Sequence, residues 1–444
     1  MISSYMTLYK KGAFVLALLL SFLGAGQAKA QELLTLEEAV KIALERNFNI
    51  KLSSNDIKIA ENNVSRGNAG MLPAVNATIT NNNTIQNSSQ TRADGQVNEV
   101  NWGQGSTLNY GVGLNWTVFD GFAMFARYEQ LQELQKLGEA NLQQTVLTTV
   151  GDVMATYFEL AQQQAQLKAF DTATVISRLR VTTARNRFEI GKAARLELLN
   201  AQVDFNTDTT NLLRQQNLYR NTQIRLNQIM ARDVNTTFRV EDNFNIDDQL
   251  TLGQLSTLAQ EQNPSVKAAI LNRRVAELQA QQVRAARLPT INVNTGYNFN
   301  RNRSALGFST LSTGNGLNYG VSASVPIFNG FNQRRNEQNA NVLINSAQLQ
   351  IEQINQDVTA QLASAYQTYL TNLTLVRLEE NNQRIARQNL DITLEKYRLG
   401  SITTVEVRDA QLNYVNATVR YSNAQYQAKL GEIGLKEIAG NLTL

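Results

Sequence analysis

The feature that most constrains this 444-residue chain is that it is written twice. Leu34-Thr35-Leu36 returns as Leu250-Thr251-Leu252, Glu45-Arg46-Asn47 as Glu261-Gln262-Asn263, and Leu72-Pro73 as Leu288-Pro289, all at an offset of 216. Asn109-Tyr110-Gly111-Val112 returns as Asn318-Tyr319-Gly320-Val321, Phe119-Asp120-Gly121-Phe122 as Phe328-Asn329-Gly330-Phe331, and Ala201-Gln202 as Ala410-Gln411, now at an offset of 209. The change of seven falls inside one variable loop. Ordered matches of this kind define two supersecondary units that need each other to bury their apolar faces. Repeat 1 is read as residues 31–230 and repeat 2 as 250–444, with 231–249 as an equatorial linker.

Each repeat has the same grammar. A short amphipathic helix leads into a second one that must stop before Pro73 or Pro289, because a proline disfavours helix in the residue before it. The apolar period then changes to two. Leu108, Tyr110, Val112, Leu114, Trp116 and Val118 alternate with Asn, Gly and Thr, as do Leu317, Tyr319, Val321 and Ala323 in the copy. Strands are therefore expected at about 73–81 and 107–119, and at about 289–299 and 316–328, with Asn/Ser/Gly-rich loops over 81–106 and 300–316. The stretches 122–190 and 331–399 contain no proline, and roughly 66 helical residues would span about 100 Å. Ile344, Ala347, Ile351, Ile354, Val358, Leu362, Ala365, Tyr369, Leu373 and Val376 recur every three or four residues, which is a coiled-coil seam. Each long helix ends at a glycine, Gly191 or Gly400, and return helices over 194–230 and 403–438 complete two helical hairpins.

One chain thus supplies four strands with one apolar and one Gly/Asn/Ser/Thr face, too few to close a barrel. Such strands match the membrane-spanning kind, which needs about 9–11 residues and alternates lipid-facing with lumen-facing side chains. Tyr110, Trp116, Phe119, Phe122, Tyr319, Phe328 and Phe331 lie where an aromatic belt would sit. Export is expected as well. Lys10 and Lys11 precede an apolar run over 13–23, then Ala28-Lys29-Ala30, so residues 1–30 read as a signal peptide. Its removal leaves 38 basic against 37 acidic residues instead of 41 against 37, and the hint of a nucleic-acid partner disappears. The chain has no Cys and no His, which excludes thiolate and imidazole catalysis and the common zinc sites. It also lacks a phosphate-binding glycine loop, so neither an enzyme activity nor a cofactor or metal is expected.

The duplicated Leu-Thr-Leu opening, the Leu-Pro pairs, the Phe-Asp/Asn-Gly-Phe junctions and the two glycine tips, in this order, resemble the TolC-like outer-membrane efflux protein family. The resemblance covers essentially the whole chain after residue 30. It implies a homotrimer with a twelve-stranded barrel in outer-membrane lipid, continued by an α-helical barrel into the periplasm. It also implies a passive channel for an inner-membrane transporter and a periplasmic adaptor protein. Carried over residue by residue, it places Gly191, Gly400, Tyr397 and Phe188 at tips that meet the adaptor. Glu406 and Asp409, with Glu197, would form the pore constriction. The i, i+3 spacing sets Glu406 and Asp409 on one helix face, and rings of carboxylates favour cations. A basic latch residue of some family members corresponds to Ile402 here, so no particular salt-bridge gate is carried over. The alternative reading is a periplasmic coiled-coil adaptor, or a structural or adhesin protein without a pore.

Overall fold

The computed structural model describes residues 32–305 and 309–442; the expected signal peptide lies outside these residues. The chain runs β1 (Glu32–Leu34), α1 (Leu36–Arg46), α2 (Phe48–Asn63), β2 (Ala74–Thr91), β3 (Val97–Asp120), α3 (Ala123–Glu189) and α4 (Arg195–Ile229). After β4 (Phe238–Val240) the order returns as α5 (Leu252–Gln262), α6 (Pro264–Ala285), β5 (Thr290–Arg303), β6 (Leu311–Ser324), α7 (Asn332–Arg398) and α8 (Thr404–Ile438). The long helices α3 and α7 have 67 residues each, and α4 and α8 have 35 each, so the offset of 209 holds across both hairpins.

The duplication extends to hydrogen bonds. Asn47 Oδ1 accepts from the backbone N–H groups of Asn49 and Ile50 at the start of α2, while its amide donates to the Ile229 carbonyl at 2.8 Å. Asn263 does the same for Ser265 and Val266 and donates to Ile438 at 2.9 Å. One side chain thereby caps a helix and ties it to the last turn of the hairpin, satisfying orphan groups at two helix ends. Here lies the mid-height core, where Tyr157 Oη donates to the Leu34 carbonyl and β1 pairs in parallel with β4. The region read as a linker therefore contains a strand, with Phe238 and Val240 buried in that core.

The sheet has the order β2-β3-β5-β6, antiparallel throughout, with β2 and β6 at free edges. Register puts Val112 beside Tyr297 and Tyr110 beside Phe299, so the apolar positions of neighbouring strands share one face. The opposite face is amide and hydroxyl. Asn300 donates to Asn109 at 2.6 Å, Thr117 to Asn292 at 2.8 Å, and Asn298 to Asn318 at 2.9 Å.

The strand boundaries differ from expectation in both hairpins: β5 runs on to Arg303 and β6 begins at Leu311, so most of 300–316, read as a loop, is strand. The segment 81–106, read as a loop, is mostly strand, because Asn, Ser and Thr continue the β2–β3 ladder as far as Thr91 opposite Val97. Past Ser106 that ladder has no third strand, so a two-stranded polar ribbon projects beyond the sheet. The last strand stops at Ser324, not 328, since Pro326 has no N–H to donate to a ladder. Phe328 thus lies beyond the strand. Phe122 and Phe331 are helix N-caps in the left-handed conformation, at φ 70° and 62°, each stacked edge-on to its partner Phe119 or Phe328.

Candidate channel constriction and assembly surfaces

Both helical hairpins turn at a left-handed glycine, Gly191 at φ 75° and Gly400 at φ 74°, where an L side chain would be strained. The side chains around them face outward: Phe188, Ile190, Leu196, Leu399 and Val405 are all exposed. Tyr397 is the exception. It is 4% exposed, its ring lies 5.0 Å from the Arg187 guanidinium, and burial raises its pKa. Arg187 also reaches Glu197 at 4.0 Å, so Tyr397, Arg187 and Glu197 link the two tips. Tyr397 therefore packs between the hairpins rather than offering a surface to a partner.

Glu406 and Asp409 lie on the first two turns of α8, both exposed. They are not equivalent. Glu406 is the N3 residue of a capping box: its Oε1 accepts from the Thr403 N–H at 3.2 Å and from the Thr403 hydroxyl at 3.0 Å. Glu197 is its counterpart in repeat 1, but Ala194 stands where Thr403 would be, so the carboxylate turns to Arg187 instead. Asp409 has no ion pair among the described residues, unlike Glu197, and takes no part in the capping box that holds Glu406.

On the same turns of α8, on another face, lies a cluster that sequence reasoning missed. Arg408 Nη1 bonds Asp208 Oδ2 at 2.6 Å and its Nε lies 3.6 Å from Asp204; Arg180 meets Asp204 at 3.0 Å. Asp208 also accepts from Ser177 and, at 2.8 Å, from Gln411. These charges, contributed by α3, α4 and α8, fasten the hairpin of repeat 1 to the return helix of repeat 2. Repeat 2 carries Ala386, Asn389, Asn413 and Ala417 at the positions of Ser177, Arg180, Asp204 and Asp208, with Leu199 at that of Arg408. The fastening is thus built once per chain. A comparison of the two copies at an offset of 209 would have exposed it. Among the described residues no group of three or more His, Cys, Asp or Glu side chains is placed to hold a metal ion.

The two long helices also differ in burial. In α3, 23 residues are buried, whereas α7 buries six and leaves Val342, Leu343, Leu349, Leu378 and Ile392 more than half exposed. The difference is one of neighbours: α3 packs on α1, α2, α4, α6 and α8, whereas the main contacts of α7 among the described residues are with α5, α6 and α8.

The sequence profile of outer membrane efflux proteins matches residues 39–232 and again 255–441, once per repeat. This chain belongs to the outer membrane efflux protein family. It is 24% identical over 324 residues to the outer membrane protein TolC of Escherichia coli K12, covering 71% of this chain and 63% of that protein. The outer membrane efflux protein BepC of Brucella suis is 20% identical over 420 residues, covering 94% and 87%. Among solved structures, a membrane protein from Pseudomonas aeruginosa superposes with a TM-score of 0.74 at 17% identity, covering 91% of this chain and 90% of that one. The CmeC outer membrane channel of Campylobacter jejuni gives a TM-score of 0.74 over 91% and 85%. The resemblance read from the repeats is thereby established, together with the mixed helical and sheet fold. Family membership makes the four-stranded sheet the outer-membrane part of the protein and the paired helices the part that extends into the periplasm.

Proposed function

We propose that three copies of this chain close into a passive export channel that receives its cargo from an inner-membrane transporter through a periplasmic adaptor. The unequal burial of α3 and α7 carries the reading. If the junction between repeats inside the chain is repeated between chains, α7 gains the neighbours that α3 already has, and the free edges β2 and β6 pair. The register of β3 on β5, transferred by the offsets 209 and 216, sets Ser322 of one copy opposite Thr80 of the next, as Gly113 faces Gly296. It keeps apolar positions on the same face, with Ala323 opposite Ile79. Four strands per copy close as twelve.

The amide-lined face becomes the lumen, hydrated by neutral dipoles. Asparagine and glutamine number 90 of 444 residues, so this wetting requires no charge along the duct. At the far end Asp409, Glu406 and Glu197 of three copies form the constriction and favour cations. Gly191, Gly400 and Phe188 mark the surface offered to the adaptor. The chain performs no chemistry of its own; the transporter drives transport. The continuous lipid-facing row on all four strands speaks against a pore-free adaptor.

The Cys-free chain suits a cross-linking test. Ser322→Cys with Thr80→Cys is expected to give covalent trimers on oxidation, and conductance in planar bilayers. Dimers that never extend to trimers, or no conductance from trimers, would refute the proposal.

A further inference from the structure

The lipid-facing row of β5 reads Ile291, Val293, Thr295, Tyr297, Phe299, Arg301, Arg303. On β3 the matching row runs from Val118 to Leu108, ten rises or about 33 Å along the strand. At a tilt of 35–45° this covers about 25 Å of bilayer, the height of an outer-membrane apolar band. Arg301 stands opposite Leu108, the last apolar residue of that row, and Arg303 one step beyond. Both guanidinium groups are therefore on the outside of the sheet, at the level where hydrocarbon gives way to headgroups on the extracellular side.

Their orientation is fixed by the strand's other face. Asn300 bonds Asn109, and Asn302 accepts from Thr107 at 3.1 Å, so the strand cannot turn the arginines inward. Neither arginine has an ion pair among the described residues, and both are exposed. β5 is flanked on both sides by strands of its own chain, so a second copy pairing at β2 or β6 does not cover them. The surrounding positions of this row, Asn81, Asn83, Thr313 and Asn315, are neutral. Beneath lies an aromatic floor, Tyr110 stacked on Phe299 at 4.8 Å with Tyr297 edge-on at 5.2 Å. The repeat-1 counterparts of Arg301 and Arg303 are Ile85 and Asn87, so the pair occurs once per chain.

The geometry points to a docking site for the phosphate groups of the outer leaflet's phosphorylated glycolipid, with Arg301 and Arg303 binding phosphate and the aromatic floor taking the first acyl segments. An arginine that faces hydrocarbon is costly but is tolerated at the interface, and the guanidinium fork matches phosphate oxygens in a bidentate manner. Two positions on one strand face are about 7 Å apart, so the two forks can hold a diphosphorylated headgroup from adjacent points.

This inference rests on the outer-membrane barrel proposed above. The test uses the full trimer in phosphatidylcholine nanodiscs containing diphosphoryl lipid A or its dephosphorylated form, with retained lipid A measured by native mass spectrometry. Arg301→Gln or Arg303→Gln is expected to weaken retention about five-fold each, and both together about 30-fold, at the usual contribution of a basic residue near an anionic lipid surface. The dephosphorylated lipid should not distinguish wild type from the double variant, and millimolar inorganic phosphate should not displace lipid A. Equal retention of lipid A by wild type and double variant, preference for the dephosphorylated form, or displacement by free phosphate would overturn the assignment. Failure of the wild-type trimer to insert at all would instead refute the barrel on which it depends.

Discussion

Arg408→Leu copies onto α8 the residue that repeat 1 carries at the equivalent place, Leu199, and removes one of three hydrogen-bond donors to the buried Asp208 carboxylate. Ser177 and Gln411 remain, and Asp204 keeps Arg180. Breaking a buried ion pair by deleting one partner costs about 3–5 kcal/mol. With two donors left and the Arg408 side chain 15% exposed, the low end, about 3 kcal/mol, is expected. At 1.36 kcal/mol per decade that is an increase of roughly 150-fold in local opening. Hydrogen exchange of the detergent-solubilised trimer reads this directly. Amides around 173–180, 204–211 and 407–415 should exchange about a hundred times faster, while those of β3 and β5 stay unchanged. Combining Arg408→Leu with Asp208→Ala, the second change copied from Ala417, removes the stranded charge, and the pair should recover at least about 1 kcal/mol relative to the sum of the single effects. Wild-type exchange in Arg408→Leu, or strictly additive effects in the double variant, would show that the cluster does not fasten the hairpins.

Glu406→Gln preserves the cap while Asp409→Asn removes the freer carboxylate, so cation preference in planar bilayers should fall more for Asp409→Asn and most for both; unchanged selectivity removes them from the constriction. Gly121 lies at φ 74° with Leu288 Cβ 2.9 Å from where its own Cβ would sit, whereas a Cβ on Gly330, at φ 67°, would meet nothing nearer than the Asn332 side-chain amide at 3.8 Å within one copy. In the trimer Ala69 and Leu72 of the next copy would take the places of Ala285 and Leu288, so Gly330→Ala should lower trimer melting nearly as much as Gly121→Ala; a mild Gly330→Ala would contradict that packing. Burial raises the Glu437 pKa above 4.5, with a hydrogen bond from Thr148 partly opposing it. The folded protein then holds a proton the unfolded chain has released, so this group's contribution is full below that value and is lost as pH rises through the folded pKa. Glu437→Gln should accordingly be the more stable protein at pH 7, with the advantage vanishing near pH 4 in melting experiments.

The long helices, the tips and the sheet's two faces were legible because each rests on a period or a break repeated in both halves. The polar ribbon was not. Its strands carry Asn, Ser and Thr on both sides, so no apolar alternation marks them, and the composition reads as loop although cross-strand pairing holds it. The end of β6 was misjudged because Ile327 and Phe328 continue the apolar pattern past a proline that cannot extend the ladder. At the proposed constriction, spacing placed Glu406 and Asp409 together, but the capping role of Glu406 needed the position of Thr403 relative to the helix start. The partners of Arg408 come from two other helices, and Tyr397 is buried by a neighbouring hairpin; neither relation is local in the chain.

The equal lengths of α3 and α7 have a consequence for how such a chain can vary. Deleting one residue from either would draw one tip back by about 1.5 Å and rotate everything beyond the cut by about 100°. A deletion in α3 before Arg180 would turn that residue away from Asp204, and a deletion in either helix would leave the two tips no longer level. A length change in one long helix therefore demands a matching one in the other, or insertion of whole turns in both. The seven residues by which the halves differ have accumulated in the β2–β3 ribbon, where added ladder only lengthens a free end. That ribbon is the place to graft a tag or an epitope without changing the register of the duct.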